Sequence, residues 1–208
     1  MSFAVLVKER ETYYPTFEKR METFISSYFK EFLEGFFPNI FQLIEFKILR
    51  QVKKPAELQH IPLVVYQTKE NGIDSLVYVL IDRGNINQTE INKQMYRVFN
   101  KLYKHYRLPI IPMLISFREN HLYQEEYEMS FYNMGTLTFQ YSAVQIQKQC
   151  WRKYVKANHL IAAALFQYMD FPEDEKVQLH FEILKMLARI HSNPAEQRLL
   201  YDLFSEGF

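Results

Sequence analysis

The spacing of apolar residues changes several times along the chain, and each change marks an element. Phe17, Met21, Phe24, Ile25, Tyr28, Phe29, Phe32, Leu33 and Phe36 recur at helical spacing, and Gly35 and Pro38 mark the stop. A second short helix is predicted over residues 39–44, and residues 46–52 (FKILRQV) read as a short strand-like piece before a polar connector. Residues 61–67 (IPLVVYQ) and 75–82 (SLVYVLID) are unbroken apolar, β-branched runs with Lys69-Glu70-Asn71-Gly72 between them. They predict two antiparallel strands joined by an Asn-Gly turn, both buried on both faces because neither alternates with polar residues. Helical spacing returns over residues 87–107, and residues 108–117 (LPIIPMLISF) form a third apolar run. A helix that connects two strands makes a crossover, so the third strand is expected to lie parallel to the second.

Beyond this β-β-α-β unit, residues 127–132 and 136–144 alternate apolar with polar positions around Asn133-Met134-Gly135, the pattern of a β-hairpin. Helices are predicted over residues 147–156 and 158–169. Another opens on Pro172 with Glu173, Asp174 and Glu175 in its first turn and ends at 189–191, and a last one spans 194–204. The expected fold is α/β, a mixed sheet flanked by helices. Residues 1–120 form the core, and residues 121–208 form a β-hairpin and helical extension packed on it as one compact unit.

Composition narrows the function classes. The 208 residues suffice for one domain, with 48% hydrophobic and 24% charged residues as in an ordinary globular protein. A net charge of +1 gives a weak overall field, so any nucleic-acid contact must come from a local patch. The single Cys150 excludes an intramolecular disulfide and fits a reducing compartment. No apolar run reaches the length of a membrane span, so the expected location is the cytoplasm, with no membrane partner. His180 and His191 lack neighbours at zinc-ligand spacing, and there is no Gly-rich phosphate loop and no Gly-x-Ser-x-Gly elbow.

Three features carry candidate chemistry. Asp82 stands at the carboxyl end of the second apolar strand, where open α/β sheets commonly place ligands. On the helix over 87–107, Lys93, Arg97, Lys101, Lys104 and Arg107 fall within about one third of the circumference, opposite Ile91, Met95, Val98, Leu102 and Tyr106. That stripe suits phosphate tracking, or equally a solvated face. Lys148, Arg152, Lys153 and Lys156 interleave with Trp151 and Tyr154, a pattern that fits nucleic acid or an edge helix whose aromatics pack inward.

Residues 28–46 (YFKEFLEGFFPNIFQLIEF), the hairpin ending in LVYVLIDR, and residues 95–115 (MYRVFNKLYKHYRLPIIPMLI) occur in that order. So do LTFQYSAVQI, NHLIAAALFQYM and the closing LLYDLFSEGF. Together they resemble the Rpn (YhgA-like) recombination-promoting nuclease/putative transposase family of the PD-(D/E)XK nuclease superfamily, over about nine tenths of the chain. The resemblance implies a nuclease fold and a magnesium-dependent site. At the catalytic positions the chain departs from the family: the second-strand aspartate falls on Pro62, and the Glu-x-Gln or Glu-x-Lys pair falls on Asp82-Arg83-Gly84. Asp82 retains a carboxylate for Mg2+, and Glu18 or Glu22 on the first helix would be further ligands, whereas Pro62 and Gly84 offer none. Asp74, eight residues away along the same strand, is roughly 26 Å from Asp82 and cannot share its ion. The leading expectation is a catalytically degenerate nuclease-fold protein that binds DNA through Lys93, Arg97, Lys101 and Lys104, with Arg152 and Lys153, or binds a protein partner. The alternatives are an active magnesium-dependent DNA endonuclease centred on Asp82, and a structural protein that dimerises through the aromatic helix of residues 17–37.

Overall fold

In the computed structural model, residues 16–45, 49–84, 87–118, 125–132, 135–156 and 160–189 are described, together with Leu203. The first predicted helix is two helices. Helix α1 (Phe17–Ser27) starts at Thr16, whose hydroxyl accepts from the Lys19 amide at 3.3 Å. It stops at Tyr28 (φ −126°, ψ 35°), and α2 (Phe29–Phe36) follows at once. Two causes break the run, one local and one from a distant strand. Thr23 and Ser27 turn their hydroxyls back onto the carbonyls of Lys19 and Thr23, which bends a helix. The Ser26 carbonyl accepts from the Tyr66 hydroxyl at 2.6 Å, and Phe29 stacks on the Tyr66 ring with centroids 4.0 Å apart. Helix α3 (Pro38–Leu43) begins on proline, which lacks the amide that a first helical turn leaves unbonded anyway.

A five-stranded sheet follows. The short edge strand β1 (Arg50–Gln51) pairs with β2 (Leu63–Glu70), which pairs antiparallel with β3 (Ile73–Asp82) from Leu63↔Leu80 to Glu70↔Ile73. Asn71 (φ 50°) and Gly72 (φ 80°) close this hairpin, both left-handed as a two-residue turn between twisted strands requires. Helix α4 (Gln88–Tyr106) crosses over to β4 (Ile110–Ser116), which runs parallel to β3 as expected. Asn87 caps α4 by accepting from the Glu90 amide at 2.9 Å, and Arg107 ends it at φ 56°.

The predicted hairpin forms, but its second strand ends earlier than expected. Strands β5 (Glu126–Phe131) and β6 (Gly135–Gln140) form a separate two-stranded sheet, but the run breaks at Tyr141. The Tyr141 hydroxyl donates to Asn92 Oδ1 of α4 at 2.6 Å, and its amide donates to the Glu125 carbonyl at 3.1 Å. The chain then leaves the hairpin, and β7 (Ser142–Gln145) adds to β4 in parallel, giving the order β1-β2-β3-β4-β7. The main sheet therefore continues past residue 120, the expected end of the core.

Each face of the sheet buries its own layer. On one face, Val64, Tyr66, Val77, Val79, Ile81, Met113 and Ile115 pack with α1 and α2 and with α5 (Trp151–Lys156), α6 (Leu160–Leu165) and α7 (Lys176–Arg189). On the other, Leu63, Val65, Leu76, Tyr78, Leu80 and Leu114 meet Ile91, Met95, Val98 and Leu102 of α4. Residues 76–81 of β3 are at most 3% exposed, so the strand is central and covered on both sides. Each such aliphatic side chain contributes roughly 1.5–3 kcal/mol of burial. Phe17, Phe24, Phe29, Phe32, Phe36 and Phe37 all belong to this core, so the aromatic segment expected to offer a dimer face points inward. Helix α7 is preceded by a 3₁₀ turn at Glu173–Glu175 rather than starting on Pro172. The predicted helix over 194–204 lies outside the described residues apart from Leu203. No described helix is long and apolar enough to cross a membrane.

Candidate functional site

The carboxyl end of β3 is set by the register with β4. Parallel pairing places Asp82 beside Ser116, and the Phe117 amide extends the ladder by donating to the Asp82 carbonyl at 2.9 Å. Alternation then returns Arg118 to the Ser116 side. Asp82, Ser116 and Arg118 are 4%, 0% and 7% exposed, so three polar side chains lie together inside the protein. Burial without partners would be costly, and here partners are supplied to the carboxylate and the hydroxyl, although Arg118 Nη2 has none among the described residues. Asp82 Oδ1 accepts from the Gly84 amide at 2.9 Å. Oδ2 accepts from Ser116 Oγ at 3.1 Å and from Arg118 Nε at 2.8 Å. Ser116 Oγ in turn accepts from the Arg118 amide at 3.3 Å, so the hydroxyl bridges carboxylate and backbone.

Gly84 is required by this arrangement. Its φ of +104° suits glycine, and a Cβ there would lie 3.2 Å from Arg118 Cγ. The absence of a side chain at Gly84 thus admits the arginine. Sequence reasoning misses Arg118. The signal that could find it is the register itself, because a residue two past the one paired with Asp82 must share its face.

A divalent cation does not fit these groups. The carboxylate already accepts three hydrogen bonds, one from a guanidinium whose charge repels a metal. Asp82, Glu18 and Glu22 are not gathered, since among the described residues no three His, Cys, Asp or Glu side chains form a metal-binding group. Glu18 lies in the first turn of α1. Glu22 is engaged in joining α1 to β2: its Oε1 accepts from Lys54 Nζ and from the Leu63 amide, each at 2.9 Å, and its Oε2 meets Lys19 at 3.1 Å. Asp74 sits exposed at the opposite end of β3, opposite Lys69.

The two basic clusters differ. On α4, Ile91, Met95, Val98 and Leu102 are buried, so the cationic side faces outward. Lys93 is half-buried, and Arg97, Lys101 and Lys104 are exposed. Arg97 pairs with Glu90 at 2.9 Å across a solvent-open contact, and Lys101 Nζ approaches the Glu57 carbonyl at 3.5 Å. Such contacts contribute little and yield readily to a competing anion. On α5, Trp151 and Tyr154 are each only 2% exposed, so neither ring is offered to a base. Arg152 lies over Trp151 at 4.8 Å and pairs with Glu175, which also accepts from Trp151 Nε1 at 3.1 Å. The Arg152 hydrogen bond holds the Glu175 carboxyl below its usual range, and Glu175 raises Arg152 in return. Lys153 Nζ sits 5.3 Å from the Tyr154 ring centroid.

A cleft that Asp82 does not line has a volume of about 960 Å³ between the start of α4 and the β5–β6 hairpin, where Gln88, Asn92, Glu126 and Tyr141 meet. Gln88 Nε2 donates to Asn92 Oδ1 at 2.7 Å, and Asn92 Nδ2 donates to the Glu126 carbonyl at 2.8 Å. Burial pushes the Tyr141 phenol up to about 12, an effect that the Gln88 hydrogen bond only partly offsets.

Comparisons with protein-family models, with curated proteins and with solved structures give no match.

Proposed function

We propose that this chain is a catalytically lapsed nuclease-fold protein of the Rpn type that binds nucleic acid through the outer face of α4. The observation that carries the reading is the Asp82–Arg118 ion pair, 2.8 Å long and buried at both ends. At the strand end where a nuclease would hold Mg2+, this chain has a guanidinium. Metal-assisted phosphodiester cleavage needs acidic ligands with free lone pairs, and the pairing of Asp82 removes the one candidate at that strand end. The mixed sheet flanked by helices agrees with the fold that the resemblance implies. The binding half of the reading is supported by Arg97, Lys101 and Lys104, which stand exposed on a helix of 19 residues anchored by its opposite face. Such a helix spans roughly 28 Å, long enough to follow several phosphates.

Fluorescence polarisation with labelled duplex DNA across a salt series tests this. Binding that weakens steeply with salt, with little dependence on sequence, is expected. Absence of retention at low salt would leave α4 a solvated surface and favour a protein partner. An endonuclease centred on Asp82 requires Arg118 to withdraw. Magnesium-dependent nicking of plasmid DNA that Asp82→Asn abolishes would establish that alternative.

A further inference from the structure

Helix α7 is apolar on two opposite sides. Leu179, Ile183 and Met186 are buried in the core, whereas Val177, Phe181 and Leu184 are 81%, 57% and 62% exposed. With Ala188, also exposed, they follow at intervals of four, three and four residues, a continuous stripe along the outer face. Apolar side chains scattered singly on a surface need no explanation, but a full stripe along one helix does.

The stripe is complementary to itself. A two-fold axis perpendicular to α7 between positions 182 and 183 brings Phe181 against the second copy's Leu184, and Val177 against the second copy's Ala188. Large therefore meets medium at the centre, and medium meets small at the ends. Charge favours the same antiparallel sense. The turn leading into α7 carries Glu173 and Asp174, beside a Glu175 engaged with Arg152 and Trp151, and the C-terminal turns of the helix carry Lys185 and Arg189. Antiparallel copies place each acidic end near a basic one, whereas parallel copies would set like charges side by side. Lys185 Nζ lies 4.4 Å from the Phe181 ring centroid, so one face of that ring is already held in place for the contact.

We infer that α7 is an isologous dimerisation surface whose occupant is α7 of a second copy of this chain. A helix of 14 residues is roughly 21 Å long and buries less than the ~800 Å² per partner of a standard interface. The dimer is therefore a reversible one that forms with rising concentration. It places two copies of the exposed α4 face on one particle, independently of whether that face binds DNA.

Sedimentation velocity over a wide concentration range is the first test, with a monomer–dimer equilibrium expected. Phe181→Glu combined with Leu184→Glu should raise its dissociation constant about a hundredfold, because the apolar anchors are lost and each new carboxylate faces another across the two-fold axis. Both positions are exposed, so the thermal unfolding midpoint of the variant should stay near that of the parent. Orientation is read separately in a Cys150→Ser background carrying Val177→Cys and Ala188→Cys. Oxidation should link residue 177 of one copy to residue 188 of the other, as peptide mapping would show. Links only between like positions, a protein that stays monomeric at every concentration, or a dimer indifferent to the Phe181 and Leu184 changes would each overturn the assignment.

Discussion

The end of β3 and the outer face of α4 both carry charge, and they use it in opposite ways. At β3 the charges are enclosed. Asp82 and Arg118 are less than a tenth exposed and pair with each other, and Ser116 and the Gly84 amide also donate to the carboxylate. Arg118 Nη2 has no hydrogen-bond partner among the described residues. On α4 the charges are open to solvent and hold only loose contacts, such as Arg97 with Glu90. A carboxylate at a sheet end stands out in sequence, and its pairing shows only once its cation arrives from beyond the next strand. A plain basic stripe is what stays open to solvent, and in the proposed function it is the surface that meets a ligand. On that reading energy and function separate: the first region governs folding, and the second what the protein touches.

The sharpest way to break this comparison is to remove the buried cation. Arg118→Met should lower stability by about 3–5 kcal/mol in urea unfolding, because Asp82 would be left as an uncompensated buried charge. Adding Asp82→Asn should recover a large part of that loss, and the double-mutant cycle measures the coupling. A loss below about 1 kcal/mol would show that water reaches Asp82 and that its lone pairs are not committed.

Gly84→Ala should cost about 1–3 kcal/mol, from a positive φ and from the Cβ that would crowd Arg118 Cγ. Thermal unfolding of this variant alone and with Arg118→Ala separates the two causes. Only the crowding disappears when the arginine is truncated.

A smaller effect should appear in alkali, at the cleft between the two regions. Tyr141 ionises near 12 in the fold against 10.0 for an ordinary phenol, so the folded state holds its proton more tightly. The stability this gives is complete below pH 10 and is lost as the pH rises toward 12. Tyr141→Phe should flatten that part of the pH profile. An unchanged profile would mean that other buried tyrosines, such as Tyr154, dominate it.

The smallest effect on stability belongs to α4. Replacing Lys93, Arg97 and Lys101 by Gln should shift unfolding by no more than about 0.5 kcal/mol per site. In the same variant the salt slope of DNA binding should fall by roughly 0.9 log unit for each phosphate no longer neutralised. Marked destabilisation would mean that the outer face carries folding energy, and the contrast with β3 would fail.

Much of the fold is legible in the sequence because its strongest signals are local. The unbroken run over 75–82 predicts a strand covered on both faces, and the Asn71-Gly72 turn and the amphipathic α4 follow from periodicity and turn chemistry alone. What escapes depends on distant partners. The break at Tyr28 follows from Tyr66 on another element, and the break at Tyr141 from Asn92 on α4. Thr23 and Ser27 lie close to Tyr28, but no window of sequence around either tyrosine contains Tyr66 or Asn92. The same holds for the candidate site: Asp82 stands out by position, but its partner Arg118 lies 36 residues on and depends on the β3–β4 register. The interleaved aromatics of α5 leave two packings open in sequence, and the structure turns Trp151 and Tyr154 inward.

The placement of β7 has a consequence for the order in which the molecule can be completed. The β2–β3 hairpin closes across two residues and can zip early, but the outer edge of β4 is covered only by β7, 29 residues further on from Met113 to Ser142. During synthesis, and in any refolding chain, that edge stays open until the hairpin of β5 and β6 has formed or been bypassed. An open apolar strand invites pairing with the wrong chain. Tyr141, by turning the chain off the hairpin and into the sheet, is then also a timing element. Its loss should show as a slower refolding phase that grows more aggregation-prone with concentration, as stopped-flow fluorescence and light scattering would measure.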